Sequence, residues 1–295
     1  MNKFLQTASN NFDSYFSPSI IKKVELILLR LAIISFIVHL LIIYFCNNFE
    51  CFKYSHHSYL KAIYTPFSFI LFYEVFLLII IIPNSISEFV GKQFEVITLI
   101  TLRSFFHDIA DFELNNIINF QNQAFISMVL DLSASILMLG LTIVYYKVFH
   151  IIEYRDIIVD LDKFINIKKT VSFCMIIVLL ILSLTSFLNW CLDMLKAING
   201  NSNFPNPNNV FYNDFFSIMI FVDVFLLIIS FTFQSSFLII FRNASFIITT
   251  ILIRMSLSIS KPMNYIVIIF GFLFSILSFY LYKRGNNFIT NDKSL

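Results

Sequence analysis

Charged residues are scarce in this sequence. Asp, Glu, Lys and Arg make up 13% of its 295 residues, about half the roughly 25% of a soluble globular domain. That shortage excludes a soluble enzyme, a nucleic-acid-binding domain and a disordered chain, which need a polar surface or a high net charge. The net charge of +2 is too small to call for an anionic partner, and no nucleic acid is expected. Four cysteines do not make a disulfide scaffold: Cys174 and Cys191 fall in an apolar run, and Cys46 and Cys51 flank a turn. Glycine (5) and proline (6) are also rare, in keeping with an AT-rich coding bias. Only near Pro83 is an apolar run visibly broken, whereas many secondary transporters unwind helices at their sites.

Catalytic signatures are missing as well. There is no His-Glu-x-x-His, no Gly-x-Ser-x-Gly or Gly-x-Gly-Asp, no phosphate-binding loop and no dinucleotide fingerprint. No catalytic residue, metal or cofactor is therefore assigned, and the chain is not expected to be an enzyme. His107, Asp108 and Asp111, and Cys51 with His56 and His57, are loose clusters that read as ordinary loop residues. His39 and His150 lie at different depths and do not read as joint haem ligands.

What the sequence has is apolar length. Hydrophobic residues make up 58%, 38 of them phenylalanine, and the mean hydropathy is +0.83. Such a chain cannot cover itself with polar groups in water, so the expected solvent is lipid. The first 18 residues are polar or mixed and lack a signal-peptide core, so the first apolar run reads as an uncleaved spanning helix. A spanning helix needs about 20 mostly apolar residues. Clear candidates lie at 24–46, 66–83, 124–147, 170–192, 214–233 and 263–283. Two charged segments, 88–107 and 236–258, complete a set of eight. The fold class is an all-α polytopic membrane bundle.

Cation placement favours eight crossings over seven. With the N-terminus inside, Lys3, Lys22, Lys23, Lys147, Arg155, Lys163, Lys168, Lys169, Lys283, Arg284 and Lys293 all face inward. Lys53, Lys61, Lys196 and Lys261 face outward, which obeys the positive-inside rule. The expected location is a cell membrane, with both termini cytoplasmic. A duplication points the same way. Glu74-Val-Phe-Leu-Leu-Ile-Ile recurs as Asp223-Val-Phe-Leu-Leu-Ile-Ile, and each copy precedes a turn and a charged helix closing on Arg103 or Arg254. Lys22-Lys23 likewise matches Lys168-Lys169. The chain divides into parallel four-helix repeats at 1–149 and 150–295, a repeat type found in transporters. Segment 148–169 is expected to form an inner-surface helix between them.

Ionisable side chains inside a membrane are costly and are functional candidates by default. Glu74 and Glu95 each lie about ten residues from the Asn84-Ser85 turn, so about 15 Å deep at 1.5 Å per residue. With Asp223, also near mid-depth, they form a candidate proton or ion path. Two carboxylates at one depth can share a proton. Arg103 and Asp131 lie at matching depths and read as a buried ion pair. Lys92, Glu95, Leu99 and Arg103 share one helix face, and Arg242, Phe246, Thr250 and Arg254 another; both are expected to point into the protein. Arg30, Lys92, Arg242 and Arg254 read as structural charges or as charges that snorkel to the nearer interface. Arg254 would then need a partner such as Asp193 or the outer loops. Isolated arginines eleven or twelve residues apart do not make a voltage sensor, which needs several at three-residue spacing.

Two functions fit these residues. One is a proton or small-ion conduit lined by Glu74, Glu95 and Asp223. The other is a non-transporting membrane component, an assembly subunit, anchor or sensor whose charges bind partner helices. The expected partners are the bilayer, further copies of the chain or other membrane subunits. The crossing count has a direct test. If 88–107 spans the membrane, a cysteine placed at Asn119 reacts with an impermeant label from outside; labelling from the inner side alone removes the eight-span topology.

Overall fold

Apolar runs in lipid must satisfy their backbone hydrogen bonds within the segment, which leaves helices as the solution for runs of this length. A computed structural model describes residues 2–49, 59–110, 123–150, 161–198, 211–233 and 236–292, and among these there are helices and no strands. The helices are α1 (Asn2–Tyr15), α2 (Pro18–Phe49), α3 (Tyr64–Ile80), α4 (Ile86–Ala110), α5 (Gln123–His150), α6 (Leu161–Ile198), α7 (Phe211–Phe233), α8 (Phe237–Ser256) and α9 (Met263–Asp292), with a short 3-10 turn at Tyr59–Ile63.

Each of the eight apolar segments lies on one of the helices α2 to α9. Six of these helices, α2 and α5 to α9, are long and apolar enough to cross a membrane. The protein is thus a helical membrane bundle. Helix α3 is apolar but short, at 17 residues. Helix α4 has the length, 25 residues, and carries Glu88, Lys92, Glu95 and Arg103 within it.

Helix α1 is absent from the sequence reading. Its Asn- and Ser-rich face is a poor helix former, and tertiary packing supplies the stability that propensity lacks. Ser9 and Phe12 are buried on one face. Ser9 Oγ donates to Asn166 Oδ1 at 2.8 Å, and Lys169 Nζ lies 2.5 Å from Asp13 Oδ2. Both partners sit near the start of α6. That helix begins at Leu161, so the latter part of the expected inner-surface segment is continuous with the span. The rest of that segment, 151–160, and the loop residues Cys51, His56, His57 and Asp111 lie outside the described residues.

The helices fall into two compact units, one of Met1–Ser14, Ile79–Gly91 and Val144–Leu295, the other of Tyr15–Leu78 and Lys92–Ile143. In the second, Tyr73 donates its hydroxyl to Glu25 Oε2 at 3.1 Å, joining α3 to α2, and His39 Nδ1 hydrogen-bonds to Thr65 Oγ1. Phe67 and Phe106 stack at 4.4 Å between centroids. Thr98 and Thr101 hide their hydroxyls on Phe94 and Ile97 carbonyls of their own helix, the usual way to bury a hydroxyl in an apolar helix.

In the unit holding residues 144–295, α8 packs on both α7 and α9, and α6 on α7. Tyr145 is fully buried among Phe149, Phe246 and Phe279. Its hydroxyl donates to the Ser87 carbonyl at 2.8 Å. Lys168 is buried too. Its Nζ donates to the Asn84 carbonyl at 2.5 Å and lies 4.7 Å from the Phe164 ring centre. Ser172 donates to the Ile79 carbonyl. Ser172 thus bonds a carbonyl in the last turn of α3, and Lys168 one in the turn that follows it.

Close approach decides one glycine. A Cβ on Gly91 would stand 2.8 Å from Tyr146 Cε1, whereas one on Gly140 would meet nothing within 4 Å. Overpacking of this kind costs about 1–3 kcal/mol, while Gly→Ala in an open helical position gains about 0.5–1 kcal/mol. Gly91→Ala should therefore lower the thermal midpoint in detergent and Gly140→Ala hold or raise it. Equal effects at the two positions would contradict this packing.

Candidate functional site

Helix α8 differs from every other candidate span. Half of its most apolar window is buried, against 11% for α2. Its exposed residues reduce to a narrow stripe, Phe237, Phe241, Ile248 and Met255, spaced by four or seven residues along one face. Its buried surface is unusually polar: Arg242, Asn243, Ser245, Thr249, Thr250, Arg254 and Ser256. Ser245 and Thr249 turn their hydroxyls back on the Phe241 and Ser245 carbonyls at 2.8 and 2.9 Å.

Two polar clusters result. Toward the start of α8, Arg242 donates through Nε and Nη2 to Asn243 Oδ1 at 3.3 and 3.1 Å. Its guanidinium lies over the Tyr282 ring at 4.5 Å, a cation–π contact strengthened by burial. Asn243 Nδ2 then donates to Ser230 Oγ of α7 at 3.1 Å. Toward the end of α8, Arg254 Nη1 donates to Asp223 Oδ2 of α7. Thr250 Oγ1 stands 2.9 Å from that same carboxylate oxygen and 2.9 Å from the Ile247 carbonyl. The side chains of Arg254 and Asp223 are 1% and 0% exposed. This pair is sealed from solvent.

The pairing gives Arg254 the structural role rather than the snorkelling one. Its expected partners were Asp193 or the outer loops; it is drawn inward to Asp223 instead. The reason is geometric. Every Cα–Cβ bond in a helix tilts toward the N-terminus, so an arginine near the C-terminal end of a span leans toward the membrane interior. Asp223 lies 10 residues before the end of α7 at Phe233, and Arg254 17 residues after the start of α8 at Phe237. The difference, about 10.5 Å at 1.5 Å per residue, is narrowed by a long side chain already leaning that way. Arg242, near the N-terminal end of the same helix, is also buried, held by Asn243 and Tyr282.

The other predicted residues are placed as follows. Arg242, Phe246, Thr250 and Arg254 are all buried. The α4 stripe is less so: Leu99 is 44% exposed, and the side chains of Lys92 and Glu95 are 25% and 37% exposed. They neutralise each other, with Lys92 Nζ 2.5 Å from Glu95 Oε2, so α4 carries its charge without full burial. Glu74 is buried, and the strongest attractive charges acting on it are Arg103 and then Lys92. Asp131 is fully buried on α5. Arg30 is exposed on α2.

On α7 and α8 the acid before the turn and the arginine after it are joined, as Asp223 with Arg254; on α3 and α4, Arg103 is a positive charge in the surroundings of Glu74. Sequence reasoning missed Asn243, Ser230 and Tyr282. The available signal was an asparagine beside an arginine inside an apolar run, where each must find a buried partner. Among the described residues, no group of three or more His, Cys, Asp or Glu is placed to hold a metal ion. Two cavities lie in the unit of residues 144–295. One is lined by Phe216, Ser217, Ile220, Arg254 and Ser258 together with Met255 and Leu257. The other, lined by Ile82, Phe89, Lys168, Leu226 and their neighbours, is much smaller. Neither wall includes Glu74, Glu95 or Asp223. The chain matches no protein-family model, no curated protein and no solved structure.

Removing one member of a buried ion pair leaves an uncompensated charge and costs about 3–5 kcal/mol, whereas replacing both by apolar groups is often neutral. Asp223→Leu and Arg254→Leu should each lower the unfolding midpoint strongly, and the double variant should recover much of the loss. Additive losses in this cycle would show that the two side chains do not interact.

Proposed function

We propose that this protein is a non-transporting, non-catalytic membrane component, an assembly subunit, anchor or sensor whose in-membrane charges fasten its own helices. The observation that carries the reading is the state of Asp223. A carboxylate that serves an ion or proton path must meet water or a mobile ion, and Asp223 is enclosed with its oxygen on Arg254 and Thr250. Glu95 has Lys92 beside it, and Glu74 lies in the field of Arg103 and Lys92. Each mid-depth acid has a positive charge near it, and for Asp223 that contact fastens α7 to α8.

On this reading the bundle has eight crossings in two parallel four-helix repeats, with both termini cytoplasmic at a cell membrane. Recurrence in the sequence of an acid before the turn and an arginine after it supports the duplication, because shared lipid-facing composition would not by itself repeat both charges. The surface for other membrane subunits or further copies of the chain is α2. It has the highest hydropathy of the spans and the smallest buried share, and it presents Arg30 among exposed Ile27, Leu31 and Ile34.

Proteoliposomes loaded with a pH-sensitive dye provide the test. Under an imposed gradient, proton and potassium flux should match protein-free vesicles, for the intact chain and for Glu74→Gln and Asp223→Asn alike. Flux in the intact chain that both substitutions abolish would replace this reading with a conduit.

A further inference from the structure

Arg30 is a charge that the packing of α2 does not use. It is exposed on that helix, and among the described residues no hydrogen bond, ion pair or ring contact reaches it. The acid nearest in sequence, Glu25, takes the Tyr73 hydroxyl. It lies about 140° away around the helix at 3.6 residues per turn. A cation facing lipid without a counter-charge is costly, so the counter-charge must come from whatever touches that face.

Length places Arg30 in depth. From Leu31 to Cys46 the chain has no Asp, Glu, Lys or Arg, and this run is shorter than the roughly 20 residues that fill the hydrocarbon. Counted back from the polar pair Asn47-Asn48, about 20 residues reach Ile27. Arg30 then stands only about 4.5 Å inside that boundary at 1.5 Å per residue. Its Cα–Cβ bond tilts toward the helix N-terminus. The guanidinium therefore reaches the level of lipid phosphates while its stem lies along apolar surface. Lys22 and Lys23, both exposed, lie on the headgroup side of it.

We propose that this end of α2 binds an anionic glycerophospholipid, with its phosphate on the Arg30 guanidinium and an acyl chain along the helix. The guanidinium fork takes two phosphate oxygens at once. The neighbouring lysines add a positive field that favours a net negative headgroup over a zwitterionic one. Lys23, Ile27, Arg30, Ile34, Ile37 and Leu41 are all exposed and recur at steps of four and three. They form one stripe running from the lysines into the hydrocarbon. A second copy does not suit this stripe. Copies in one membrane share an orientation, and a two-fold axis along its normal would set Arg30 against Arg30. The lipid site refines the reading of α2 as the surface for other membrane components, and it holds whether or not the protein conducts ions.

The test uses the full chain purified in dodecyl maltoside and mixed with equal amounts of dioleoyl phosphatidylglycerol and dioleoyl phosphatidylcholine. In native mass spectrometry the protein should retain the anionic lipid at least about threefold more than the zwitterionic one. Arg30→Gln, at an exposed position, should remove most of that preference. Lys147→Gln, which deletes an exposed cation on α5, should leave it in place. In the membrane, a photoreactive benzoyl-phenylalanine in place of Ile34 should form an adduct of phospholipid mass. Equal retention of the two lipids, a preference that Arg30→Gln leaves unchanged, or an equal fall with Lys147→Gln overturns the proposal. So does a photo-adduct with protein in place of lipid, which would assign the stripe to a partner subunit.

Discussion

A charge pair without water organises this bundle. Asp223 and Arg254 lie on consecutive helices, and each is almost wholly buried. Neither tolerates that environment alone, because an uncompensated ion away from water costs several kcal/mol. Their contact therefore sets which face of α8 turns toward α7. Once that face is chosen, the rest of α8 follows by helical periodicity. Thr250 falls beside the carboxylate, Phe246 enters the cluster around Tyr145, and Phe241, Ile248 and Met255 are left as the apolar edge. The second cluster, Arg242 with Asn243, Ser230 and Tyr282, holds the opposite end of the same helix.

The scarcity of charge gains meaning from this arrangement. In water, a surface ion pair is worth little. In a bundle whose outer surface and lipid solvent are equally apolar, hydrophobic burial does little to tell one helix face from another, and packing and polar contacts take over that role. The chain uses several of them: the sealed pair on α7 and α8, the partly exposed Lys92–Glu95 pair on α4, the Tyr73–Glu25 bond between α3 and α2, and Lys168 on the turn after α3. Gly91 against Tyr146 adds the steric counterpart, a small residue that lets two elements approach closely. A carboxylate committed to such a contact is a poor relay for ions. The same chemistry fastens α7 to α8.

Much of the fold was legible before any coordinates. Each of the eight apolar segments lies on a helix, because lipid leaves a long apolar run no other way to satisfy its backbone. The inward orientation of Arg242, Phe246, Thr250 and Arg254 was legible too, since four-residue spacing places them on one face. Helix α1 was not. It is stabilised by what it rests on, Asn166 and Lys169, more than 150 residues away in the chain. The candidate site was half visible. Asp223 and Arg254 were both singled out as costly charges, but depth counted from Cα positions set them apart. The tilt and length of the arginine side chain narrow that gap, and neither is contained in a residue count.

The sequence by itself determined the solvent, the helical class, the segments and the identity of the charges that lipid would penalise. Those properties follow from composition and from periods of a few residues, which are local. Only the tertiary structure decided which charge answers which, and that the arginine closing α8 turns inward rather than outward. Such outcomes depend on how two helices are rotated about their own axes. That rotation is settled by contacts between residues far apart in the chain, where spacing along the sequence carries no information.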